Sequence, residues 1–76
     1  MNKTQRKQLS VILTVLEGVK ADLEMMSEEE QEKFDDLTEG LQASEKGQAM
    51  EDAARELQSA ADSIDEVTSS IETAME

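Results

Sequence analysis

Thr38-Glu39-Gly40-Leu41-Gln42-Ala43-Ser44-Glu45-Lys46-Gly47 is the stretch of this 76-residue chain where a periodic apolar pattern lapses and then resumes. Two glycines, a threonine and a serine fall within it, a composition that marks a turn between helical segments. Ser44 is placed to cap whatever helix follows, because a serine hydroxyl accepts the free N–H groups of a first turn. Proline is absent and the only other glycine is Gly18, so long helices are permitted on both sides.

Downstream, Met50, Ala53, Leu57, Ala60, Ile64, Val67, Ile71 and Ala74 alternate spacings of four and three, which lays one stripe along a helix. Ala54 and Ala61 flank that stripe, and the spacing predicts a helix over about 45–74. Upstream, Leu9, Ile12, Leu16, Val19, Leu23 and Met26 do the same and predict a helix over about 3–26. Ser27-Glu28-Glu29-Glu30 reads as a capping box: the first helix either breaks or bends there, the favoured reading, with a short extension over 28–37, or continues through with Ser27 exposed. Thirty helical residues span about 45 Å. Two long helices of matched length joined by a short turn, about 38–44, fold back as an antiparallel hairpin. The fold class is therefore all-α, a single coiled-coil-like helical hairpin over residues 1–76.

A hairpin this small offers one thin layer of packing and leaves apolar surface uncovered. Val11, Leu13 and Val15 lie outside the narrow stripe of the first helix and form the expected oligomer interface, with Met25 widening the same surface. Homo-oligomerisation into a helical bundle, a dimer or larger, is the simplest use of that patch. Docking on a different protein is the competing use.

The composition removes several function classes. Histidine, cysteine and tyrosine are missing, which takes away the commonest general base, the thiol nucleophile and the phenolic acid. No G-x-S-x-G, Ser-x-x-Lys or phosphate-cradling glycine loop is present, so no enzyme activity and no cofactor are expected. Without cysteine there is neither a disulfide nor a thiolate metal site, which fits a reducing compartment. No apolar run approaches the length that spans a bilayer, and the basic start is followed by no signal-peptide core, so the expected location is the cytoplasm.

The net charge of −12 is unevenly spread: residues 1–16 carry Lys3, Arg6 and Lys7 and no acid, whereas residues 17–76 carry all 19 acids against four bases. Such a field repels nucleic-acid backbones and anionic membranes, so neither is an expected partner. The acidic run Glu28, Glu29, Glu30, Glu32, Asp35, Asp36 and Glu39 has three readings. It is a solvated helix start, a contact surface for a basic partner, or a metal site. The last lacks both the order of a calcium loop and the histidines of a di-iron bundle. Phe34, the sole aromatic, either plugs the turn end of the hairpin with Leu37 and Leu41 or anchors a partner. Lys3, Arg6 and Lys7 oppose the helix dipole and are expected to pair with Glu72 and Glu76 across the hairpin. Alternatively Arg6, Lys7, Lys46 and Arg55 build an anionic-ligand pocket between subunits.

The segments Glu29-Glu30-Gln31-Glu32-Lys33-Phe34-Asp35-Asp36-Leu37, Glu39-Gly40-Leu41-Gln42 and Ser44-Glu45-Lys46-Gly47, with the start Met1-Asn2-Lys3-Thr4-Gln5-Arg6-Lys7, resemble small acidic helical proteins of bacteriophages and prophages. Thr38 departs from the proline expected there in such relatives. The resemblance implies a bacterial host cytoplasm and no particular mechanism. Three jobs suit that setting: counter-defence or regulation by binding a host protein with a basic surface, an oligomeric sponge for a signalling nucleotide, or a structural part in assembly.

Overall fold

A computed structural model describes all 76 residues, and it is all-helical, with no strand. Helix α1 runs over Lys3–Asp35, a single turn α2 over Glu39–Gln42, and helix α3 over Glu45–Met75. α1 and α3 lie alongside each other as a long pair, 58 Å in its longest dimension and 15 by 12 Å across. The radius of gyration is 17.3 Å, against about 11 Å for a globule of this length.

Each helix starts on a cap that the sequence supplies. Asn2 and Gln5 form a reciprocal capping box at the head of α1, with bonds of 2.8 and 3.2 Å. Thr38 caps α2, and Ser44, in extended conformation, accepts the Gly47 N–H at 3.1 Å to open α3.

No break occurs at Ser27. α1 continues through it, because the hydroxyl is not turned onto its own backbone; it crosses to α3 and donates to the Ala54 carbonyl at 2.7 Å, where it is buried. The run of glutamates that follows has good helix propensity and carries the helix on to Asp35.

The seam between the helices also differs from the stripes read off the sequence. On α1 the residues turned inward are Leu9, Leu13, Leu16, Lys20, Leu23, Ser27, Glu30 and Phe34, a strict four-three alternation that Leu37 continues just past the helix end. On α3 they are Gly47, Met50, Ala54, Leu57, Ala61, Ile64, Thr68, Ile71 and Met75. One half of each predicted stripe is kept. The other half moves by one residue, so that Ile12, Val19 and Met26 give way to Leu13, Lys20 and Ser27, and Ala53, Ala60 and Val67 to Ala54, Ala61 and Thr68. Polar residues are admitted because each finds a partner or an exit. Lys20 runs its stem along the seam and places its amino group outside, 2.7 Å from Asp65.

The buried residues are all small: Ser27, Gly47, Ala54 and Ala61. They bring the two backbones close, while the larger seam residues are only half-covered, as two helices alone must leave them. At the turn, α2 lies directly on the first turn of α3. A Cβ on Gly47 would stand 2.7 Å from the Gln42 carbonyl oxygen and closer still to that of Leu41, so this close crossing requires glycine.

Candidate functional site

With the seam defined, the remaining positions sort onto two flanks of opposite character. The flank next to Lys20 is polar on both helices: Ser10, Glu17, Glu24 and Gln31 on α1, with Glu51, Gln58, Asp65 and Glu72 on α3. Lys20 joins Glu24 at 3.7 Å and Asp65 at 2.7 Å across it. The Asp65 hydrogen bond is the main reason that the Lys20 pKa rises above the ordinary lysine value; desolvation opposes it, and the charges of Asp65 and Glu24 add to the rise. Further along, Glu28, Gln31, Glu51, Arg55 and Gln58 rim a wide, open cleft over Ser27 and Ala54. Arg55 is held by Asp52 on its own helix.

The opposite flank is apolar on both helices. α1 contributes Ile12, Val19 and Met26 at intervals of seven, and α3 contributes Ala53, Ala60, Val67 and Ala74. Val15 extends it around α1, and Val11 and Met25 lie beyond. The large members, Ile12, Val15, Val19, Met26 and Val67, are between 42% and 59% exposed, which is high for apolar side chains of this size. Of the expected interface residues, Val11 and Val15 are on the surface, but Leu13 is not, being half-buried against α3.

Charge is graded along the long axis. The turn end, residues 28–52, holds ten acids and two bases; the open end, residues 1–16 and 66–76, holds three of each. Glu28, Glu29, Glu32, Asp35, Asp36 and Glu39 are all exposed there. Glu30, half-buried, pairs with Lys33 at 3.1 Å, and Asp35 accepts from Gln31 at 3.0 Å. The carboxylates fan outward: nowhere do three of them approach closely enough to hold a metal ion.

Phe34 is half-buried in the seam, with Leu37 one turn on; Leu41 remains more than half exposed over the shallow pocket that it lines with Leu37, Met50 and Gly47. The Phe34 carbonyl accepts from the Gln42 side chain at 3.1 Å, which ties the end of α1 to α2. Phe34 thus lies in the seam at the turn end, partly covered. The expected pairing of Lys3, Arg6 and Lys7 with Glu72 and Glu76 is absent; all five side chains are exposed and none is in an ion pair. Nor do the four bases suggested for an anionic ligand converge in one chain. Arg6 and Lys7 sit at the open end and Lys46 at the turn, about 40 Å apart by helical rise.

Sequence reasoning missed the Lys20–Asp65 pair, the Ser27–Ala54 bond and the apolar flank. Their signal was the alternative four-three series through Leu13 and Phe34. No family model, curated protein or solved structure matches the chain. No helix is long and apolar enough to cross a membrane.

Proposed function

We propose that this protein is a non-catalytic binding protein that works as a self-associated helical bundle and engages a basic surface on a host protein through its acidic turn end. The observation that carries the reading is the charge gradient: ten acids against two bases at the turn end, with the acidic side chains exposed and diverging. A rigid helical end of this kind presents carboxylates at fixed positions and speeds encounter with a positively charged partner. The resemblance to bacteriophage proteins gives the setting, a counter-defence or regulatory factor in the cytoplasm of a bacterial host.

The test is affinity capture from a bacterial lysate with the natural chain and with a variant carrying Glu29→Gln, Glu32→Gln, Asp35→Asn, Asp36→Asn and Glu39→Gln. Circular dichroism first establishes that both are helical. A basic protein retained by the natural chain, released by salt and lost in the variant is the expected result. Equal retention by both chains, or none by either, overturns the reading.

A further inference from the structure

The apolar flank has no partner within the chain, and its layout defines what fits it. Ser27 stands opposite Ala54, and steps of seven from that pair set Lys20 opposite Ala61 and Leu13 opposite Thr68. On the same flank the α3 residue nearest in height to Ile12 is Val67, to Val19 Ala60 and to Met26 Ala53, each two residues from the exact level in this register. Each of these pairs sets a larger side chain on α1 beside a smaller or equal one on α3, so the flank is a continuous apolar strip about 21 Å long from Ile12 to Met26. No charged residue interrupts these three pairs; the next pair toward the turn is Lys33 and Lys46.

We propose that this strip is the docking face for a second copy of the chain, bound side by side and antiparallel, with the two-fold axis at the level of Val19 and Ala60. The inference rests on the self-association in the reading above and specifies its surface and geometry. Area supports it. The hairpin exposes 5573 Å², about 950 Å² more than expected for a compact protein of 8.4 kDa, and a standard interface takes about 800 Å² from each partner. Charge decides the occupant's orientation. Two chains of −12 repel, so they can meet only across an uncharged strip, and a parallel pair would set two turn ends, each ten acids against two bases, beside one another. The antiparallel pair sets each turn end beside an open end of zero net charge.

The result is a four-helix bundle in which Ile12 of one copy lies level with Met26 of the other. The polar flank bearing Lys20 and Asp65 stays in solvent, and both acidic turn ends remain free, at opposite ends of the bundle.

Sedimentation equilibrium and oxidative cross-linking test this together, and the chain's lack of cysteine makes single-cysteine variants unambiguous. The natural chain should sediment at twice 8.4 kDa. Val19→Glu with Ala60→Glu should weaken the dimer by about 100-fold or more, because charge would be buried at its centre. Gln31→Glu with Gln58→Glu, which adds the same charge on the polar flank, should leave it dimeric. Val19→Cys should cross-link to itself; Met26→Cys should cross-link only when mixed with Ile12→Cys. A natural chain at 8.4 kDa overturns self-association itself. A dimer indifferent to Val19→Glu with Ala60→Glu, or Met26→Cys cross-linking to itself as readily as Val19→Cys, overturns this face and orientation while leaving self-association standing.

Discussion

At the scale of single residues, two glycines with the same sequence signature have opposite structural duties. Gly18 sits on the exposed back of α1 with nothing within 4 Å of the place a Cβ would take, whereas Gly47 lies under the carbonyls of α2. Gly18→Ala should therefore stabilise the chain by roughly 0.5–1 kcal/mol through helix propensity. Gly47→Ala should destabilise it by about 1–3 kcal/mol, since the clash is with backbone. Thermal unfolding of the two variants checks both signs, and equal effects would contradict the close crossing at the turn. Lys20 makes a pH prediction. Its pKa is raised in the folded chain, by the Asp65 hydrogen bond first, so its contribution is complete below the ordinary lysine value and is lost as pH rises through the raised one. Melting temperatures of the natural chain and Lys20→Met should differ at neutral pH and converge in strong alkali; a constant difference would mean that the pair contributes through packing alone.

At the scale of the elements, the sequence disclosed much of the architecture and less of its register. The turn chemistry at Thr38–Gly47 and the cap at Ser44 were legible because caps and glycines act locally. Ser44→Ala should cost about 1 kcal/mol and fray the first turn of α3, seen as faster amide exchange at Gly47 and Gln48 than in the natural chain. Unchanged exchange there would show that α2 alone holds the turn. The seam was misread for a physical reason. Both helices carry two apolar series one residue apart, and propensity cannot say which faces inward. The series with Lys20, Ser27 and Thr68 looks worse on hydrophobicity, yet it contains the small residues that let the backbones approach and a lysine long enough to reach water. The capping box read at Ser27 failed similarly, because a serine followed by glutamates is equally good helix interior when its hydroxyl has a partner across the seam.

At the scale of the whole molecule, the acidic end was legible from charge counts alone, while the apolar flank needed the register and so stayed hidden. Net charge opposes compactness here: four ion pairs, all at the surface, offset little of the mutual repulsion in a chain of −12. Raising salt from about 10 mM to about 500 mM should therefore raise the melting temperature, as screening relieves repulsion within the chain. A fall would indicate that surface ion pairs dominate stability. The two flanks divide the work between them. In the proposed dimer one flank would bury a second copy, and the polar side with its acidic ends would stay available to other molecules.

Small-angle X-ray scattering on an absolute intensity scale reads mass and length at once. Side-by-side antiparallel pairing requires twice 8.4 kDa with a longest dimension still close to the 58 Å of one hairpin, the added mass appearing as a thicker cross-section. A mass of 8.4 kDa at every concentration, or a doubled mass with a length approaching twice 58 Å, would contradict it.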